Sequence, residues 1–445
     1  MMMNTKSLVE NAFWQQEQEC MPIDQLRTLQ LAKLKSVVAR VHSDVPAYRK
    51  AFEAAGIKPD QIKTLDDLRR LPFTTKADLR ANYPLGYLAI PREEVVRFHG
   101  SSGSTGKPTF VAYSKSDMSN WADLCARFLY SGGLRASMTA QVSFGYGLFT
   151  GGFGLHQGIE RIGAAVLPAS SGNTARQLLL LQDMEADFLI CTPSYALHLA
   201  DGIKSGTIDR STLKLKGMFL GSEPWTEGMR HRMEEDLGIY VENNYGLSEI
   251  QGPGVSGECA YRNGMHVAED HFIVECINPD TLEPVAEGEE GELVFTTLNK
   301  EAFPLIRYRT RDISKLCHTP CPCGRTSVLM SRVTGRTDDM LIIRGVNVYP
   351  SQIEAALLSI PAASAHYMIE VSRPKTMDEV TVHVELKPQG MVDSISELNN
   401  IRDRIISCIA GITGLHVKVF LEQPNTLERF EGKSKRVKDL RNLKD

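Results

Sequence analysis

The sequence predicts an α/β protein: a large multi-layer N-terminal domain with mixed sheets and a β subdomain over residues 1–334, and a small α+β C-terminal domain over 335–445. Three observations predict this. At 445 residues the chain exceeds one ordinary core, since domains run to roughly 150 residues. Between Asp117 and Tyr240 short apolar runs alternate with helical ones, the pattern of a layered α/β unit. Past Gly335 the runs take a β-α-β-β-α-β-like order.

In chain order, Ile23 to Ser43 reads as an amphipathic helix, with Leu26, Leu29, Leu31, Leu34, Val37, Val38 and Val41 at helical spacing. Pro46 breaks it, and Thr74 to Arg80 resembles an N-capped helix start. Val95-Val96 and Phe110 to Tyr113 read as hairpin strands around a Gly/Ser loop. Strands are expected at Ala140–Phe144, Ala164–Pro168, Phe188–Cys191 and Gly217–Leu220, and helices at Arg176–Glu185, Tyr195–Lys204 and Glu227–Asp236. Parallel strands place ligands at their carboxyl ends. Those ends carry Gly145-Tyr-Gly147, Thr192-Pro-Ser194 and Gly221-Ser-Glu-Pro-Trp225. From His271 the texture turns to antiparallel β, with Phe272–Ile277 and Glu292–Thr297 flanking a turn-rich segment. In the C-terminal unit, strands are expected at Met340–Ile343, Glu379–Leu386 and Val417–Leu421, with helices at Ser351–Ile360 and Ser394–Ala410. Glu422 to Lys438 is polar and reads as a solvated tail unless its lysines are functional.

Composition narrows the function. Hydrophobic content of 42%, charged content of 23% and a net charge of −4 give no general attraction to nucleic acid or anionic membranes. The start shows no signal-peptide pattern, and no stretch reaches ~18 apolar residues, so the expectation is a cytoplasmic protein acting on small molecules. Nine scattered cysteines argue for reduced thiols, some on metal, rather than a disulfide scaffold.

The chemistry starts at Gly100-Ser-Ser-Gly-Ser-Thr-Gly-Lys-Pro108, where glycines, hydroxyls and one lysine suit an anion cradle. It is not a Walker A loop: five residues back from Gly106 stands Ser101, and Pro108 follows Lys107. Asn243-Asn-Tyr-Gly-Leu-Ser-Glu249 combines an aromatic able to stack on a purine, a hydroxyl and a carboxylate suited to Mg²⁺. Tyr308-Arg-Thr-Arg-Asp312 offers an acid for a ribose diol, and Gly335-Arg-Thr-Asp-Asp339 lies at the domain junction. Cys259, His266, Cys321 and Cys323 make a plausible Cys₃His set for structural Zn²⁺, with Cys317 and His318 as rivals.

In this order the motifs resemble the adenylate-forming superfamily of acyl-CoA synthetases, luciferases and nonribosomal adenylation domains. The strings Phe303-Pro-Leu-Ile-Arg-Tyr-Arg-Thr-Arg-Asp312 and Asp338-Asp-Met-Leu-Ile-Ile-Arg-Gly-Val-Asn-Val-Tyr-Pro350 look most like the phenylacetate-CoA ligase family. The resemblance implies an AMP-binding N-terminal domain, a mobile C-terminal lid, and the substrates ATP and coenzyme A. It implies that Ser102, Ser104, Thr105 and Lys107 hold the β- and γ-phosphates. Tyr245 lies beside adenine, Ser248 and Glu249 take phosphate and Mg²⁺, and Asp312 takes ribose. Gly221, Glu223, Asn244 and Arg336 complete the nucleotide-binding set, Asp338 is the hinge, and Lys433 is the lysine that reaches the acyl carboxylate and α-phosphate, with Lys435 a close competitor. Some relatives also carry zinc at the cysteine cluster.

Two departures stand out. Asn243-Asn244 occupies a place where relatives often have an acid, and Arg311 stands where the wider superfamily has glycine. Phe144, Tyr146, Phe149, Gly221 and Pro253 are expected around the acyl pocket, where flat rings and glycine gaps suit an aryl group. The expected activity is aryl-acyl-CoA formation, with phenylacetate favoured over indoleacetate, benzoate-type and hydroxylated acids. Alternatives are an adenylating enzyme serving a carrier protein or biosynthetic partner, and a nucleotide- or zinc-binding protein that kept the fold. A homodimer is the base-rate expectation for assembly.

Overall fold

The computed structural model describes residues 13–101, 108–204, 206–337, 341–343, 346–374, 378–388, 394–428 and 436–441. Helix α1 spans Ile23–Asp44 and buries Leu26, Leu34, Val37, Val38 and Val41. Leu29 and Leu31 are only half-buried. Gln30 lies deeper than either, and its amide donates to the carbonyls of Glu269 and Phe272 at 2.8 and 3.2 Å. That bonding satisfies a polar group the helical pattern places in the core, and it ties α1 to the β-rich region. Thr75 caps Lys76–Ala81 through a capping box with Asp78. Strands β1 (Arg97–Ser101) and β2 (Thr109–Tyr113) form the expected hairpin, with Ser101 opposite Thr109.

Helices α2 (Lys115–Ser131) and α3 (Thr150–Ile162) follow, and α3 is absent from the sequence expectation. It carries a run of glycines, each unfavourable in a helix interior. Packing explains them. A Cβ on Gly154 would stand 2.4 Å from the Trp121 ring, and one on Gly158 2.4 Å from the Cys125 Cβ, so α3 lies against α2 closer than any side chain permits.

Strands β3 (Thr139–Val142), β4 (Ala165–Leu167), β5 (Phe188–Cys191), β6 (Gly217–Leu220) and β7 (Tyr240–Leu247) run parallel in the order β4-β3-β5-β6-β7. Their side chains alternate between faces. Phe188, Ile190 and Phe219 pack with residues of α2 and α3. Leu189, Cys191, Met218, Leu220 and Val241 pack with the helices Thr174–Asp183, Pro193–Lys204 and Glu227–Leu237. A sheet covered on both faces explains why these strands read as continuous apolar runs.

The antiparallel texture starts earlier than His271. β8 (Gly252–Glu258) turns back on β7, and β9 (Met265–Val267) pairs with β8. A second, wholly antiparallel sheet contains β10 (Phe272–Ile277), β11 (Gly291–Thr297) and β12 (Tyr308–Ser314). Short strands β13 (Leu316–Cys317) and β14 (Leu329–Met330) extend the first sheet past β9, and β15 (Gly335–Arg336) joins the second beside β12.

In the C-terminal region β16 (Leu341–Ile343) and β17 (Val346–Val348) form a hairpin where the sequence suggested a strand and a turn. The helix Pro350–Leu358 leads into β18 (Ala363–Ser372), a strand absent from the sequence expectation. β19 (Glu379–Leu386), the helix Ile395–Thr413, β20 (Lys418–Glu422) and β21 (Val437–Asp439) complete a sheet ordered β20-β19-β18-β21. The solvated-tail expectation therefore fails at its end. β21 pairs with β18, and the Arg436 guanidinium folds inward onto the Glu354 carboxylate and the Tyr367 hydroxyl. Ala365 and Leu358 pack into the core formed by the Pro193–Lys204 and Glu227–Leu237 helices.

One core carboxyl is unusual. Glu242 on β7 is buried against Gly132 and Phe219, and burial, reinforced by the Glu258 charge, pushes its pKa up to about 8. The folded state thus holds a proton that the unfolded chain releases near 4.5. Native stability from this group falls as pH rises from about 4.5 to about 8. Glu242→Gln is expected to gain on the wild type by roughly 5 kcal/mol across that window, measured by denaturant unfolding at the two ends.

Candidate active site

The ends of β6 and β7 lie against each other. A Cβ on Gly221 would stand 2.7 Å from the Asn244 carbonyl oxygen, so this approach requires glycine. The Asn244 amide donates to the Leu220 carbonyl at 2.9 Å, and Asn243 Oδ1 accepts from the Trp225 indole at 3.0 Å. An ionised acid at 244 has no proton to give Leu220, which supplies a structural reason for the first departure noted above. On the same loop the Glu223 carboxylate accepts from the Ser194 backbone N–H at 3.2 Å.

Three predicted residues meet beside β7. The Tyr245 hydroxyl donates to Asp312 Oδ2 at 2.7 Å, and Arg336 Nη1 lies 2.8 Å from Asp312 Oδ1. Asp312 and Arg336 are direct partners in the β12–β15 register. The Tyr245 ring stacks on Phe295 with centroids 6.1 Å apart, and burial together with the Asp312 charge drives its phenol pKa far up, so the hydroxyl stays a donor. Arg311 has φ of +69°, a left-handed backbone. That conformation favours the glycine of the wider superfamily, so Arg311 at this position carries backbone strain. Arg311 is held there by the buried Glu292, which accepts its backbone N–H at 3.2 Å and pairs with Arg309 at 2.6 Å.

Ser248 and Glu249 occupy the turn after β7, both buried. The Ser248 hydroxyl shares a 2.9 Å hydrogen bond with Thr150 at the start of α3. Glu249 accepts from the Ser101 hydroxyl at 2.8 Å and lies 3.2 Å from the Lys76 ammonium. Burial opposes its ionisation, but Lys76 and Ser101 outweigh that and hold the carboxyl below its ordinary value. Lys76 and Thr150 are site residues that sequence reasoning missed. They lie far from the motifs along the chain, and only the folded contacts bring them in.

Phe144, Tyr146 and Phe149 gather around the turn between β3 and α3. The Phe144 and Phe149 centroids are 6.5 Å apart, and the Tyr146 hydroxyl shares a 3.2 Å hydrogen bond with His156 Nδ1. Pro253 sits on β8, and its carbonyl accepts from the Trp121 indole at 3.0 Å and the Cys125 thiol at 3.2 Å. Ser102, Ser104, Thr105, Lys107, Asp338, Lys433 and Lys435 lie outside the described residues.

Cys259, His266, Cys321 and Cys323 converge, with their ligand atoms all within 4.8 Å of one another. Cys323 Sγ is 3.3 Å from His266 Nε2, and Cys259 Sγ is 3.6 Å from Cys321 Sγ. Hydrogen bonding from Cys259, with His266 alongside, holds the Cys323 thiol well below its usual value. His266 Nδ1 meets the Ser327 hydroxyl at 3.4 Å, which orients the ring. Cys317 and His318, the rival ligands, turn instead to Thr319 and Glu287. Among the described residues no helix is long and apolar enough to cross a membrane.

The Lys76 contact is testable. Lys76→Met removes the Lys76 cation from beside Glu249, leaving burial opposed mainly by Ser101 among the described residues. The Glu249 carboxyl is then expected to titrate above 4.5, its ordinary value, rather than below it. A ¹³C-carboxyl NMR titration of both proteins measures this.

The architecture and these positions can be set beside known proteins. The model of the AMP-binding enzyme family matches residues 29–299, and that of the AMP-binding enzyme C-terminal domain matches 345–441. Phenylacetate-coenzyme A ligase from Thermus thermophilus is 48% identical, over 96% of this chain and 99% of its own. A crystal structure of 2-hydroxyisobutyryl-CoA ligase in the postadenylation state, in complex with R3-HIB-AMP, superposes with TM-score 0.90 at 29% identity, over 96% of this chain and 92% of that one. The same ligase with 2-HIB-AMP and CoA in the thioesterification state gives TM-score 0.72 at 30% identity, over 97% and 93%. The chain belongs to the phenylacetate-CoA ligase family of adenylate-forming, AMP-binding enzymes.

Proposed function

We propose that the protein activates an aryl carboxylic acid, with phenylacetate the favoured substrate, as an acyl-adenylate and transfers the acyl group to coenzyme A. The near full-length likeness to phenylacetate-CoA ligase carries this reading. The carboxylate oxygen attacks the α-phosphorus of ATP and pyrophosphate leaves. The CoA thiol then attacks the acyl carbon, and AMP leaves with the electron pair of the broken C–O bond. Positioning and electrostatics, rather than a covalent protein nucleophile, supply the acceleration.

Asp312, fixed by Tyr245 and Arg336, takes the ribose hydroxyls, since a carboxylate accepts several hydrogen bonds at once. Tyr245, Asn244, Gly221 and Glu223 line the adenine side, and Ser248 with Ser102, Ser104, Thr105 and Lys107 takes the phosphates. Glu249, buried and ionised, fits Mg²⁺, whose charge offsets repulsion between the reacting anions when bound. Phe144, Tyr146, Phe149, Gly221 and Pro253 surround the acyl group. The domain boundary falls at 334/335, and the C-terminal domain turns at Asp338 so that Lys433, or its neighbour Lys435, serves adenylation and withdraws for thiolation. The higher likeness to the postadenylation than to the thioesterification state of the related ligase supports such a swing.

Three thiols and an imidazole form the donor set of a closed, structural Zn²⁺ site, which staples the β8–β9 turn to the 321–325 loop. A cytoplasmic location and a homodimer belong to the same reading. Nine free cysteines support the first, and the frequency of twofold oligomers supports the second.

Pyrophosphate release, with mass spectrometry of the thioester, across phenylacetate, indoleacetate, benzoate, hydroxylated acids and a long-chain fatty acid tests the substrate. Activity confined to the fatty acid contradicts the aryl assignment. Lys433→Ala is expected to lower adenylation roughly 100-fold, with Lys435→Ala milder. The reverse order reassigns the role. Metal analysis is expected to find one zinc per chain, and Cys323→Ser to lower both zinc content and thermal midpoint.

A further inference from the structure

The hairpin strand β1 touches both halves of the reaction. At its end, Ser101 donates to Glu249 on the nucleotide side. One and two residues earlier, the strand grips the turn that precedes α3: the Leu148 carbonyl accepts from the Gly100 backbone N–H at 2.8 Å and from His99 Nδ1 at 3.0 Å. A carbonyl only accepts, so Nδ1 carries the proton. His99 is 1% exposed. Tyr113 and Trp121 each meet its ring edge-on at 5.5 Å, and Phe153 lies 5.6 Å away. Burial pushes its pKa down to about 4, so the ring is neutral in the physiological range. Phe153 in turn packs edge-on against Tyr146 at 5.2 Å. Leu148 lies between Tyr146 and Phe149, so its carbonyl fixes the backbone of the segment that carries both rings.

We propose that His99 is a positioning residue for the acid substrate: its Nδ1–H holds the Leu148 carbonyl and so sets the acyl-pocket turn against the nucleotide hairpin. The Gly100 N–H occupies one lone pair of that oxygen and His99 the other, so a strand aligned for phosphate also aligns the aryl pocket. This rests on the aryl-acid reading above.

The test uses two substitutions of equal shape. Asparagine presents its amide N–H close to where histidine presents Nδ1–H, and leucine has the same branching with no donor. His99→Leu is expected to raise the KM for phenylacetate about tenfold, with the KM for ATP within about twofold of wild type. His99→Asn is expected to stay within about threefold for both. Equal losses in the two variants, or a shift confined to ATP, overturn the proposal. A second measurement needs no variant: ¹⁵N NMR of the histidine-labelled wild type is expected to show His99 protonated at Nδ1, with that signal moving when phenylacetate alone is added. A proton on Nε2, or a signal indifferent to the acid, overturns the proposal even if His99→Leu fails to fold. Wild-type protein inactive on every aryl acid defeats the functional reading instead, and the tautomer result stands apart from it.

Discussion

An ionised carboxylate persists inside a protein only where donors replace the water it has lost, and Asp312 imposes that requirement on the whole molecule. Two of its partners come from other strands: Tyr245 from the end of the parallel sheet, Arg336 from a two-residue strand near the junction with the C-terminal region. One substituent therefore demands that two sheets meet in a fixed register. The strand that carries Asp312 supplies the rest, because Arg311 adopts a left-handed conformation that turns the chain at this place. Glu292, wholly buried, accepts from the Arg311 backbone and pairs with Arg309, so a second enclosed carboxylate stabilises the strained approach to the first.

Glu249 repeats the principle with different parts. Its neighbours come from a short capped helix and from the root of the β1–β2 hairpin, two segments far from it in the chain. A cation and a hydroxyl gathered from separate elements keep the acid charged within a buried turn. The N-terminal region is tied in similarly. Glu19 accepts from Arg325 and from the Trp14 and Gln15 backbone, while the Arg325 backbone N–H points at Cys323, so the cysteine cluster and the first described residues share one loop.

Much of the molecule was legible in the sequence because its signals are local. The parallel strands announced themselves as short apolar runs, and the capping box at Thr75 and the Gly/Ser hairpin are chemistries of neighbouring residues. The Cys₃His set was legible by residue type, and folding rejected Cys317 and His318. What escaped depends on partners distant in the chain. The helix after Phe149 is hidden by glycines that only Trp121 and Cys125 explain, and Lys76 joins the site only when its helix is laid beside the β7 turn. The strand Ala363–Ser372 has regular alternation only from Ala365 onward, and its opening Ala-Ser-Ala presents little apolar signal. Arg436 reads as one more charge in a basic run until Glu354 and Tyr367 are brought to it.

The close contact between α2 and α3 bears on how substrate range can diverge. With Gly154 and Gly158 pressed onto Trp121 and Cys125, α3 has no room to slide or to accept even a methyl group on that face. On the acyl-pocket assignment proposed above, new acids are not accommodated by shifting this wall, and variation in selectivity falls to the few residues between Phe144 and Phe149, where a side chain changes without repacking two helices. A rigid wall with a replaceable rim lets descendants of this enzyme explore new acids while the nucleotide chemistry beneath stays the same.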